Sequence, residues 1–296
     1  MAVESLGTFL KTRRGRVTPE AIGLHTYGAT RRVPGLRREE LAQLAGVSAG
    51  YYTRLEQDQA GTASGQVLDA IARVLRLDPA EAAHLRNLAG RPSAPRLVAP
   101  EAEQAAPRVL ALLTALGETM PALILGRRGD VLAWNRTGHA LFAEHLDLDA
   151  PTDPDRRPSI PRQFFLDPLT RDLHRNWDEL ARVHVAYLRL TAGRHPTDAR
   201  LAALIGELAM RSDEFATLWA RGEVADCTVG RMRLRHPTIG AADVDYQVWV
   251  QPDSPDHRLE VYTPGDASSA DALRLLAAGL ETTGAAQPNR DPDVVG

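Results

Sequence analysis

Residues 37–57 read RREELAQLAGVSAGYYTRLEQ, and the reading of the front of the chain turns on them. Leu36, Glu40, Leu41 and Leu44 fall at helical spacing, and Gly46 then breaks the pattern by supplying the positive φ of a turn. Ala42 leaves room for a close helix crossing, Val47 plugs the core, and Ser48 is a good N-cap for the next helix. That helix carries Tyr52 and Leu55 inward and ends near Gln57. Two short helices joined in this way at a steep angle form a helix-turn-helix.

Short helices flank the motif on both sides. Leu6, Phe9 and Leu10 predict one over 4–14. Ser64 caps a stripe of Val67, Leu68, Ile71, Val74 and Leu75. Asp78-Pro79-Ala80-Glu81 then reads as N-cap, N1 proline and N3 acid of another helix, which closes at Gly90. A long loop, 15–35, separates the first two helices and carries Arg31 and Arg32. The segment RPSAPRLVAP, 91–100, sets three prolines among small residues and is expected to be a linker.

Charge divides along the chain. Up to Arg96 there are 14 Lys and Arg against 9 Asp and Glu, leaving 21 against 29 in the other 200 of the 296 residues. A cationic front on an acidic body points to a polyanion as partner of the first part. A lone Cys227 excludes a disulfide framework and fits a reducing cytosol. No apolar run is long enough to cross a bilayer, and the N-terminus lacks a signal-peptide pattern, so a cytoplasmic protein without a membrane partner is expected.

The front ninety residues resemble the lambda-repressor-like (XRE-type) DNA-binding family, and VPGLRREELAQLAGVSAGYYTRLEQ resembles the version that precedes an MmyB-like sensor domain. In such motifs the second helix enters the major groove. The resemblance therefore implies that Ser48, Ala49, Gly50, Thr53 and Arg54 face DNA. A guanidinium can bond guanine O6 and N7 together, which makes Arg54 the candidate for base readout. Tyr51 is a candidate for a phosphate contact. Arg37 and Arg38, at the start of the preceding helix, are expected to position the domain on phosphates, and Arg31 and Arg32 to reach a phosphate or the minor groove.

Beyond the linker, Val109, Leu112, Leu113 and Leu116 predict an amphipathic helix ending at Gly117. Short strands at 122–125 and 131–134 form a hairpin, and Asn135 begins a helix with Ala140, Leu141 and Phe142. Three helices follow, with stripes from Trp177 to Leu188, Leu201 to Leu208, and Phe215 to Trp219. Strands are expected at 228–234, 244–250 and 258–262. The fold class is thus an all-α helix-turn-helix domain followed by an α+β, PAS-like domain with an antiparallel sheet and helices on one face. The stretches 124–142, 164–180, 212–224 and 233–249 resemble the MmyB-like ligand-binding domain. That resemblance implies a hydrophobic pocket, with fatty-acid-like ligands as precedent. The domains are expected at 1–90 and 101–280, with a disordered tail at 281–296.

Aromatics gather in the rear domain, and an apolar cavity with a few polar anchors is the usual small-molecule site. Trp134, Phe142, Phe164, Phe165, Tyr187, Phe215, Trp219, Tyr246 and Trp249 are the candidate lining, and Arg162 the candidate anchor for a ligand carboxylate. The histidines are not spaced as metal ligands, and Cys227 with His236 lacks a recognised activation geometry. No catalytic residue, metal or cofactor is expected beyond a bound fatty acid or other apolar small molecule. The sequence reads as a ligand-responsive DNA-binding regulator, a homodimer on double-stranded DNA. Two rivals stay open: a rear domain that recruits a protein without a ligand, and an enzyme with an accessory DNA-binding module.

Overall fold

A computed structural model describes residues 4–24, 34–59, 63–90, 102–251 and 254–285. The expected linker, Arg31 and Arg32, and residues 286–296 of the expected tail lie outside the described residues. The first helices are α1 (Leu6–Arg16), α2 (Arg38–Leu44), α3 (Ala49–Glu56), α4 (Gly65–Val74) and α5 (Pro79–Ala89). Their starts follow from local chemistry. The hydroxyls of Ser5, Ser48 and Ser64 accept from the amides of Thr8, Tyr51 and Val67, and Asp78 and Glu81 cap each other reciprocally.

Next come α6 (Pro107–Ala115), β1 (Ala122–Leu125), β2 (Val131–Trp134) and α7 (Arg136–Ala143). Helices α8 (Ile160–Leu166), α9 (Pro168–Leu173), α10 (Trp177–Arg194), α11 (Ala199–Arg211) and α12 (Asp213–Ala220) follow, then β3 (Val229–His236), β4 (Gly240–Gln251), β5 (Ser254–Pro264) and α13 (Ala267–Ala285). The three expected middle helices are α10, α11 and α12. Helices α8, α9 and α13 were not expected, and α13 continues five residues into the stretch read as tail, from 281 to Ala285.

The chain divides into two compact units, and the division does not follow the sequence boundary. One unit joins the described residues of Met1–Pro100 to Arg182–Asp226; the other joins Glu101–Ala181 to Cys227–Gly296. In the first unit Phe9, Leu10, Leu36, Leu41, Tyr52, Leu55, Ile71 and Leu85 form the core, and Leu190 of α10 and Val224 complete it. Glu4 accepts from buried Arg189 (2.6 Å) and faces the ring nitrogen of buried His84 (3.2 Å). Burial pushes the Glu4 pKa up, but the His84 hydrogen bond and the Arg189 charge outweigh it and hold the carboxylate ionised.

The second unit is built on an antiparallel five-stranded sheet in the order β2-β1-β5-β4-β3. Asn135 locks the turn from β2 into α7. Its side-chain oxygen accepts from the amides of Ala122 and Gly138, and its nitrogen donates to the carbonyls of Gly117 and Met120. Helix α6 packs through Leu113, with Val109 and Leu116, on Ile124 and Leu259. Phe142 of α7 meets Tyr262, at 4.6 Å between ring centroids. Leu259 and Tyr262 point to opposite faces of β5, so the helices lie on both faces of the sheet rather than one. Leu112, expected on the inner stripe of α6, is 49% exposed. It sits a full turn-fraction from Leu113, which leaves it on the flank of a helix that touches the sheet along a narrow seam.

Candidate functional site

The turn between α2 and α3 is built as the sequence requires. Gly46 takes φ +70, and the amide of Val47 returns to the carbonyl of Ala42 at 2.9 Å. Tyr52 and Leu55 are fully buried while Ser48, Gly50 and Arg54 are exposed, so α3 anchors one face in the core and presents the other. A Cβ at Gly50 would meet open space, which leaves the backbone there free to approach a partner closely. Ala49 and Tyr51 are half-buried and pack partly on the core. The Thr53 hydroxyl donates back to the carbonyl of Ala49 at 2.8 Å, and the residue is half-buried.

Arg37 is exposed, and its amide donates to the Glu40 carboxylate (2.7 Å). Arg38 is less free. Its guanidinium donates to Glu56 (2.7 Å), a side chain that is buried at the end of α3 and also accepts from Arg14 of α1 (2.6 Å). Burial works to raise the Glu56 pKa, yet the hydrogen bonds from Arg14 and Arg38 outweigh it, and the net shift is downward. Glu56 therefore ties α1, α2 and α3 together as an anion shared by two arginines. Gly7 permits the approach: a Cβ there would lie 2.3 Å from the Glu56 carbonyl oxygen. The sequence alone did not mark Glu56, because one partner lies 42 residues away and the other 18.

In the second unit a concavity of about 460 Å³ opens between α7, α9 and the end of β3. Its floor includes Leu141, Phe142 and Leu173, and its rim carries Glu144, Asp172 and Arg235. The size suits a small molecule. His236 beneath it is buried and engaged: Nε2 faces the carbonyl of Ala140 (2.9 Å) and Nδ1 the amide of Thr238 (3.2 Å). Both contacts are satisfied together when Nε2 carries the proton. Buried His174 has its pKa lowered by burial, and stacks among Phe142 and Phe164.

Among the aromatics named from the sequence, Phe142 lines this concavity. Phe164 is buried and stacks on Trp177 (5.4 Å), with Phe165 beside it (5.6 Å). Trp134 donates to the carbonyl of Leu148 (2.8 Å), and Tyr246 is buried beside Cys227 (3.6 Å). Tyr187, Phe215 and Trp219 belong to the other unit, where Phe215 and Trp219 stack and Arg189 lies over the indole. Trp249 is 61% exposed. It is an odd number of positions from Tyr246 along β4, so the two point to opposite faces of the sheet. Arg162 is exposed on α8 and is not part of the rim, a place taken by Arg235. Among the described residues there is no group of three metal-ligating side chains, and no helix is long and apolar enough to cross a membrane.

Comparison with known families agrees with this division of labour. A model described as a helix-turn-helix domain matches residues 5–85, and one described as MmyB-like transcription regulator ligand binding domain matches residues 105–276. No curated protein matches the chain. With more than half its length covered by the second match, the chain belongs to the MmyB-like transcription regulator ligand binding domain family and carries a DNA-binding helix-turn-helix ahead of it.

Proposed function

We propose that this regulator reads a specific operator through the exposed face of α3 and that an apolar or fatty-acid-like molecule in the concavity of the second unit modulates that binding. The reading involves no chemical step, no metal and no cofactor, and it places the protein in the cytoplasm as a homodimer on an inverted repeat. The observation that carries it is the split character of α3, with Tyr52 and Leu55 buried and Ser48, Gly50 and Arg54 exposed. Arg54 supplies base readout, and Arg37 holds phosphate. Arg38, tied to Glu56, contributes its remaining donors to phosphate.

Substituting Arg54 by alanine is expected to cost about 1 to 3 kcal/mol of discrimination at one base pair, while Arg37→Ala weakens binding on all sequences and flattens its salt dependence. Gel-shift titration on selected operator variants at several salt concentrations checks both. An Arg54→Ala protein with unchanged affinity and base preference removes the readout assignment.

For the ligand, Phe142, Leu141 and Leu173 offer the apolar bed and Arg235 the cation for a carboxylate. The PAS-like reading of the domain is supported by the strand order and by helix α7 lying over Tyr262. Native mass spectrometry of freshly purified protein is expected to show a lipid-sized adduct, which Leu141→Trp abolishes by filling the bed. Protein free of any adduct, and unaffected in melting temperature by added medium-chain fatty acids, favours the rival in which this domain recruits a protein.

A further inference from the structure

Helix α6 covers the β1 and β5 half of one sheet face and leaves the β3 and β4 half open. On this open half β3 presents Val229, Arg231 and Arg233, and β4 presents Asp243, Asp245 and Trp249. Val229 is 69% and Trp249 61% exposed, large apolar groups that a solvated sheet face does not need. Trp249 stands opposite Leu259, which belongs to the α6 cluster, so the apolar end of the open half continues the covered half.

The charges on the two strands are segregated by sign, and their register is matched. Arg231 stands opposite Asp245, and Arg233 opposite Asp243. The first pair is closed within the chain by two hydrogen bonds, 2.7 and 2.9 Å, and Asp243 of the second faces the Arg175 guanidinium of its own chain at 4.0 Å. A partner cannot instead extend the sheet at this part of β3, because that edge is already bonded. Asn176 accepts from the Arg233 amide and donates to the Arg231 carbonyl, and the Arg175 amide donates to the Arg233 carbonyl. The face is open where the edge is shut.

We propose that this face is the contact surface for a second copy of the chain. A two-fold axis running along the strands, midway between β3 and β4, lays each β3 over the other copy's β4 at the same height. Each Arg233 then meets the partner subunit's Asp243, while the closed Arg231–Asp245 pairs of the two copies face each other in opposite order. The surface is thus self-complementary, as an isologous dimer requires, and facing sheets about 10 Å apart leave room for these side chains. Trp249 and Val229 form the apolar end of the contact. The inference deepens the homodimer reading above by naming its surface.

Sedimentation velocity on the full chain across a concentration series tests it. Wild-type protein is expected to dimerise, and Trp249→Ala, Arg233→Asp and Asp243→Arg each to raise the dimer Kd by about tenfold or more. The chain carrying both reversals is expected to recover to within about threefold of wild type, since the swapped rows again face each other. Arg233 and Trp249 are exposed, so those variants keep the wild-type melting temperature and decide the matter even if Asp243→Arg does not fold. A dimer that neither variant weakens overturns this surface and leaves the dimeric regulator standing. A monomer at every concentration, with or without operator DNA, overturns both.

Discussion

Alanine in place of Glu56 is expected to lower the stability of the first unit by about 3 kcal/mol, the lower end of the range for breaking a buried ion pair. The carboxylate is fully buried, whereas the side chains of Arg14 and Arg38 are 15% and 42% exposed and recover part of their hydration when it is removed. The melting temperature of a unit this size falls by roughly 6 to 12 °C. The same carboxylate sets an acid limb. Its folded pKa lies below the ordinary value of 4.5, so the stability it supplies is fully present above pH 4.5 and is lost as pH falls through the folded value. Denaturant melts from about pH 7 to about pH 3 should show that limb in wild type and a flatter one in Glu56→Gln. Operator affinity should fall with stability in both variants, because α3 is held by the same group that holds α1 and α2. A Glu56→Ala protein that melts with wild type removes this carboxylate from the account.

What was legible in the sequence was what short-range chemistry decides. Ser48, Ser64, Asp78 and Asn135 announced their helices because an N-cap bonds an amide two or three residues on, and each of them does so. Gly46 announced the turn because few residues accept its φ. The hairpin of β1 and β2 and the antiparallel character of the sheet followed from apolar runs and their punctuation. The relative placement of the aromatics has a different source. Counting Tyr246 and Trp249 as one lining ignored the period of two, which was readable and puts them on opposite faces. Helices α8 and α9 have seven and six residues, too few for a periodic stripe to stand out. Long-range facts were invisible in principle: no local pattern tells that Glu56 is shared by two distant arginines, or that the rim cation of the concavity is Arg235 rather than Arg162.

The least legible feature is also the one with the second large consequence. Leu190 falls within the stretch matched as ligand-binding domain, yet it is fully buried in the core that holds the helix-turn-helix. Leu190→Ala is expected to destabilise that unit by about 3 kcal/mol, the usual cost of emptying a well-packed leucine site. Its neighbour Arg189 compounds the dependence, since Glu4 is buried against it and His84. The expected outcome is a lower melting temperature and a loss of operator binding at temperatures where wild type still binds, with no residue of the exposed α3 face changed. Met210→Ala, at a position 83% exposed on α11, is the control and should shift stability by less than about 0.5 kcal/mol. If Leu190→Ala melted and bound DNA as wild type does, the helices α1 to α5 would be self-sufficient. If it fails as expected, part of the sensor-family segment is a structural element of the DNA-reading unit. Any ligand-driven shift of residues 182–226 would then reach α3 through a shared core, without needing a separate interface to carry it.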